Sequence, residues 1–229
     1  MAADFWQSKP FTEWNDKEVR KVLTSSPWAH EVSVALAGPT SAGRGERPGA
    51  DELPRRPVAP DQEPGAGLGA PGGNVASREP SARTDPEMTQ TLVLTVRWQS
   101  ALPLKQALAR IKYGAEAATS PEAKKFLDDN STYLISVAGL PQTTARIAGM
   151  KDAVKQQTTL SAKGQPALQP LDIVLSPQGK LMDLFFVFPK TPAFVLDDKE
   201  VEFSTKLGAL VVKYKFRLKD MLFNGQLDL

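Results

Sequence analysis

The sequence predicts an α+β fold: a mainly antiparallel sheet with two to four helices packed on one side, plus a long disordered insertion. Three observations lead there. Apolar and polar residues alternate with period two at 201–207 and again at 210–218, the pattern of strands with one buried face. Apolar residues recur at helical spacing earlier in the chain, as at Leu104, Ala107, Leu108 and Ile111, which marks an amphipathic helix. Residues 38–86 hold 9 of the 19 prolines and 9 of the 16 glycines, and no aromatic residue lies between Trp28 and Trp98. Such a stretch buries too little apolar surface to offset an ordering cost of roughly 1–2 kcal/mol per residue.

The 229 residues accordingly divide into three. Residues 1–37 are an N-terminal aromatic arm with a short helix and strand, docking on the main domain. Residues 38–87 are a disordered Pro/Gly-rich linker, and residues 88–229 an α+β domain. All six basic residues of the linker are Arg, whereas from Gln99 onward the chain has 14 Lys and 3 Arg. The insertion thus differs from its surroundings in composition as well as in hydropathy.

In the arm, Asn15 with Glu18 three residues later makes a capping box. Val19, Val22 and Leu23 share the helix face behind it, and Ser25-Ser26-Pro27 ends it. Val32, Val34 and Leu36 alternate with Ser33 and Ala35 as a short strand. After the linker, Leu92, Leu94, Val96 and Trp98 alternate with Val93, Thr95 and Arg97. A helix on the Leu104, Ala107, Leu108 and Ile111 face ends near Gly114. Ser120-Pro121-Glu122 starts another helix, with Pro at its first position, leading to Phe126 and Leu127. Residues 133–138 are a strand. Ile147, Met150 and Val154 mark a further helix, weakened by Gly149. Strands at 171–175 and 181–188 are joined by a turn at Ser176-Pro177-Gln178-Gly179, and the last two strands meet at Gly208.

Composition excludes several chemistries. With no Cys there is no disulfide, thiolate nucleophile or Cys-ligated metal. A formal net charge of +2 gives no strong nucleic-acid signal. The longest apolar run is about five residues against the roughly 20 that span a bilayer, so no transmembrane segment is expected. The opening Met-Ala-Ala-Asp-Phe-Trp lacks the basic start and apolar stretch of a signal peptide, and its Ala-Ala is read as the trace of a cleavage site.

The one histidine, His30, is read as a packing or surface residue. No nucleophile elbow, Ser-x-x-Lys, HExxH or P-loop accompanies it. Gly67-Leu68-Gly69-Ala70-Pro71-Gly72 matches GxGxxG but lacks the strand and helix that would make it bind a dinucleotide. Asp197, Asp198, Glu200 and Glu202 form the densest acidic cluster and are read as a solvated turn opening a strand, without the spacing of a calcium loop. No catalytic residue, cofactor or metal site is assigned.

Two groups are candidate interaction residues. Lys213, Lys215, Arg217 and Lys219 form a row of positive charge on one strand face, spaced about 6–7 Å apart. It is read as a solvated edge that resists mispairing, with an anionic partner as the alternative. Trp6, Trp14 and Trp28, with Phe5 and Phe11, are either packed on the chain's own domain or an anchor for another molecule.

The stretch Phe11-Thr12-Glu13-Trp14-Asn15-Asp16-Lys17-Glu18-Val19, followed by Leu23-Thr24-Ser25-Ser26-Pro27-Trp28-Ala29, resembles the opening of a group of uncharacterised exported bacterial proteins. The closing Phe216-Arg217-Leu218-Lys219-Asp220-Met221, before Gly225-Gln226-Leu227, is similar too. The resemblance covers about a fifth of the chain, carries no assigned activity, and implies an exported or periplasmic mature protein. The expectation is therefore a non-enzymatic exported or envelope-associated binding protein, its partner a protein or small ligand. The alternative is a carboxylate-dependent hydrolase, since acid–base pairs assemble only in three dimensions.

Overall fold

Local chemistry sets the first long helix. The Asn15 side chain accepts from Lys17 N and Glu18 N, and the Glu18 carboxylate accepts from Asn15 N at 2.8 Å, so a reciprocal cap closes α2 (Asp16–Thr24) at its start. The same logic opens a later helix, where Ser120 caps Ala123 N and Pro121 occupies the first position. The computed structural model describes residues 4–35, 91–142, 147 and 149–229. The Pro/Gly-rich segment 38–87, its GxGxxG match and Leu36 lie outside the described residues.

The elements run α1 (Phe5–Ser8), α2, β1 (Ala29–Ala35), β2 (Thr91–Trp98), α3 (Leu102–Tyr113), α4 (Pro121–Asp128) and β3 (Thr132–Pro141). There follow α5 (Lys151–Gln156), β4 (Thr159–Ala162), β5 (Asp172–Gln178), β6 (Leu181–Pro189), β7 (Glu200–Leu207) and β8 (Leu210–Arg217). A short ribbon of β9 (Leu222–Phe223) and β10 (Gln226–Leu227) closes the described chain. The fold is α+β, and every strand pair is antiparallel. Five strands form one sheet in the order β1-β2-β3-β6-β5, and three form another in the order β4-β7-β8.

Strand alternation decides which faces meet. Register pairs Trp98 with Ile135, and Ile135 with Phe186, so these side chains share one face of the large sheet. That face meets the inner face of the small sheet. Phe186 and Phe188 lie 5.3 and 6.4 Å from Phe203, and Trp98 lies 5.1 Å from Phe216, all edge-on, the favoured geometry for rings. In β7 the buried residues are Val201, Phe203, Thr205 and Leu207, and in β8 Leu210, Val212 and Phe216, so period two becomes a core face. A buried hydroxyl pair, Thr158 to Thr205 at 2.7 Å, ties the segment just past α5 to β7.

The described residues belong to one compact unit with a continuous core. Trp6, Trp14 and Trp28 are 5%, 1% and 0% exposed, and burial of side chains this size contributes about 2–3 kcal/mol each. Polar contacts pin the same segment. Gln7 Nε2 donates to Leu222 O at 2.6 Å, Trp28 Nε1 to Asp228 O at 2.9 Å, and Arg97 Nε to Leu23 O at 2.7 Å.

Three details of the sequence reading change. The turn between β5 and β6 falls at Gly179-Lys180, because Gln178 pairs with Leu181. Gly179 takes φ +62° there, which a glycine adopts without steric cost, while Ser176 and Pro177 remain in β5. A proline is tolerated at that position because β5 is an edge strand. Ile111 is 64% exposed while Lys105 and Ala109 are buried: α3 packs against both α2 and α4, so two flanks are covered near its start and its last turn is not. The helix after Ile147 begins at Lys151, and Met150 stands exposed at its start.

Candidate functional site

Helix α3 starts without a cap of its own, since Ala101 has no polar side chain. Asp228, 126 residues further on, supplies one: its Oδ1 accepts from Leu102 N at 3.0 Å. This contact brings the end of the chain beside the first turn of α3, where Lys105 projects. Lys105 is 5% exposed, and its Nζ donates to Leu127 O at 2.7 Å and Asp129 O at 2.8 Å at the end of α4. Lys190, just past β6, donates to Asn130 Oδ1 and to Leu229 O at 3.3 Å. Its ammonium also sits 5.0 Å from the Tyr133 ring centre, a favourable cation–π distance.

These groups line a cleft of about 860 Å³, within the range of about 300–1,000 Å³ typical of small-molecule sites. Its apolar wall comes from Leu127, Tyr133, Phe194, Phe223 and Leu227, and the exposed Asp128 and Asp197 stand at its mouth. Tyr133 is fixed in place, because its hydroxyl accepts from Phe194 N at 3.0 Å and its ring stacks on Phe194 at 5.3 Å.

Burial dominates the electrostatics. It lowers the pKa of Lys105, against the pull of Asp228, Asp129 and Asp128. Lys190 is lowered by burial and then by repulsion from Lys105, with Asp228 and Asp129 acting in the opposite sense. Burial raises Asp228, although the Leu102 amide and both lysines favour its anion. Each charge is held in surroundings that disfavour it.

A second concavity, of about 690 Å³, lies beside β8 and is lined by His30, Glu200, Tyr214, Lys215, Arg217 and Asp220 among others. His30 stacks on Tyr214 with ring centres 4.6 Å apart. Burial lowers the His30 pKa, opposed by a hydrogen bond to the Pro27 carbonyl and by Asp220. Burial also pushes the Tyr214 phenol up to about 12, against the nearby Arg217.

The interaction residues read from the sequence fall into two environments. Trp6, Trp14 and Trp28 are spent on the chain's own core. Lys213, Lys215 and Arg217 lie on the exposed face of β8, and Lys219 is exposed in the turn beyond it. Two of these four cations face acids across the hairpin: Lys215 lies 3.5 Å from Glu202 and Arg217 3.8 Å from Glu200, as the register pairs them. In the acidic cluster, Asp198 accepts from Val195 N and from Gln165 Nε2, both at 2.8 Å, and so organises a turn. Among the described residues no group of three or more His, Asp or Glu is placed to hold a metal ion.

Lys105, Lys190, Tyr133 and Asp228 were not singled out by sequence. They are separated by up to 123 residues, and only Lys105 carries a local signal: a charge beside Leu104 in a helix that also buries Pro103, Ala107 and Ala109. Comparison of the chain with protein-family models, curated proteins and solved structures finds no match.

Proposed function

We propose that the protein is a non-enzymatic binding protein that holds a small ligand in the cleft between α3, α4, β3 and the β9–β10 ribbon. One observation carries this reading: the buried Lys105 and the half-buried Lys190 and Asp228 are gathered in one concavity that also has an apolar wall. Groups held at such cost are a mark of functional sites. Both lysine side chains donate to protein oxygens, which fixes their position on the cleft wall. An exported or envelope-associated setting is part of the proposal and rests on the resemblance of the two chain ends.

The test uses tryptophan as reporter, because Trp98 packs on Tyr133 and Phe194, and Trp28 on Phe223. A small-molecule panel is screened for raised melting temperature and altered Trp fluorescence in the full chain, and again in Ala193→Trp, which fills the cleft. Hits lost in Ala193→Trp support the reading. Hits that survive it, yet vanish when Lys213, Lys215 and Arg217 are replaced by Glu, overturn it in favour of the β8 face.

A second reading, a carboxylate-dependent hydrolase, draws on the three aspartates Asp128, Asp197 and Asp228 around the same cleft. It requires a turnover that Asp228→Asn abolishes while the melting temperature is kept.

A further inference from the structure

We infer that a second, smaller chamber, between the end of α4, the β2–α3 link and β3, binds a neutral dipolar solute with the size and chemistry of a primary carboxamide. The inference does not depend on the cleft reading, since only Lys105 lines both spaces.

The chamber measures about 70 Å³, with Gln99, Ser100, Lys105 and Asp129 as its polar lining and Phe126 and Leu134 as apolar walls. One water needs at least about 10–15 Å³ of such space, so there is room for about five non-hydrogen atoms.

Three of the polar side chains are withdrawn from water: Gln99, Ser100 and Lys105 are no more than 7% exposed. Strand β3 holds the first two in place. The amides of Gln99 and Ser100 donate to Leu134 O at 2.7 and 3.3 Å, and Ser100 Oγ accepts from Leu134 N at 3.1 Å. Ser136, next on the same face of β3, donates to Gln99 Oε1 at 3.2 Å. That contact leaves Gln99 Nε2, with its two N–H groups, without a partner among the described residues. The nitrogen is not sealed in protein, so it opens on the space that Gln99 lines. The Ser100 hydroxyl only accepts from the protein, and its own proton is free to be donated. Buried donors of this kind are rarely left without an acceptor.

The charges of the lining cancel. They belong to Lys105 and Asp129, which attract each other. An anion is repelled by Asp129 and a cation by Lys105, so unfavourable contacts select a neutral ligand. Gln99 Nε2 and the Ser100 hydroxyl offer protons to a carbonyl oxygen. Asp129 Oδ1 accepts from Ser131 N and Ser131 Oγ, at 3.3 and 2.9 Å, and its other oxygen remains for an N–H. A primary carboxamide carries both groups on a frame of about four non-hydrogen atoms, which the chamber can hold.

The test is NMR titration of the full chain with acetamide, acetate and ethylammonium, read on the Gln99 side-chain amide. A ligand this small binds no tighter than about tens of micromolar, so probes are taken to high millimolar concentration. Acetamide is expected to give saturable shifts, at least about tenfold tighter than either ion. Gln99→Met keeps the side-chain volume without the donors and should weaken acetamide at least about tenfold, read on the Ser100 amide. Asp129→Asn, at an exposed position, should bring acetate within about threefold of acetamide, because the repelling charge is gone. Ala193→Trp, which fills the cleft, should change none of this.

Equal binding of the three probes overturns the inference, as does acetamide binding that persists in Gln99→Met or is lost in Ala193→Trp. Should Gln99→Met fail to fold, Asp129→Asn decides, and acetate still excluded from it counts against the proposal. A Gln99 amide that acetamide never shifts leaves the chamber to water and ends it.

Discussion

The cations of β8 and the two lysines of the cleft carry the same formal charge in opposite surroundings. On β8, Lys213, Lys215 and Arg217 stand in water, and two of them face glutamates across the hairpin. Exposed pairs of this kind contribute about 0–1 kcal/mol, because water and salt screen them. In the cleft, Lys105 is almost wholly removed from water and rests on main-chain oxygens. There a lost partner costs the full desolvation of what remains. The difference teaches that density of charge along a sequence is a poor guide to where charge matters energetically.

The sharpest way to break this comparison is to truncate one lysine from each region. Lys105→Ala leaves a cavity and takes the donor from two part-buried carbonyl oxygens, and is expected to cost roughly 2–4 kcal/mol in urea denaturation. Lys213→Ala should stay within about 0.5 kcal/mol of the parent. Similar losses at both sites would show that burial is not what separates them.

Asp228 gives the next effect. Asp228→Ala removes the cap of α3 and should destabilise by about 1 kcal/mol, whereas Asp228→Asn keeps an acceptor for Leu102 N and should cost less. The pH dependence has a definite sign. Burial raises the folded-state pKa of Asp228 above its ordinary value, so its contribution is fully present below the unfolded pKa and is lost as pH rises through the folded one. Asp228→Asn should therefore flatten that part of the stability–pH profile, and an unchanged profile would remove Asp228 from the account.

A double-mutant cycle on Lys215 and Glu202 should return a coupling under about 0.5 kcal/mol that shrinks in added salt. A coupling several times larger, insensitive to salt, would make the β8 face more like the cleft. The smallest effect concerns Tyr214, whose phenol titrates at about 12. Burial raises Tyr133 as well, so alkaline absorbance titration should show a late component that Tyr214→Phe diminishes. Arg217→Ala should move the Tyr214 part higher still, because Arg217 favours the phenolate. Its stability contribution is intact below the unfolded pKa of about 10 and is lost as pH rises through the folded value of about 12.

Much of the fold was legible because its causes are local. The Asn15–Glu18 box, the Ser120-Pro121 start and the β7–β8 alternation each depend on residues within a few positions of one another, and each appears in the structure. The errors came where a second element decided burial. Ile111 lies on the apolar stripe of α3 but past the reach of its neighbours, while Lys105 lies off that stripe and is covered. The turn after β5 moved because a two-residue loop with glycine at positive φ sets the register better than the longer Ser-Pro segment.

The candidate site was not legible at all. Lys105, Tyr133, Lys190 and Asp228 share no spacing and no motif, and each alone is an ordinary residue in its stretch of chain. The basic row on β8 was legible down to its register, but its electrostatic weight was not, because Glu200 and Glu202 face it only once the hairpin has formed.

By itself, then, the sequence determined the period of each element, its caps and turns, and the exclusion of cysteine chemistry, since these follow from neighbouring residues and composition. Only the tertiary structure decided that three tryptophans serve the core, that Asp228 caps a helix 126 residues away, and that Lys105 is buried on the same cleft as the half-buried Lys190. Long-range packing sets the local dielectric, and the dielectric decides what a charge is worth.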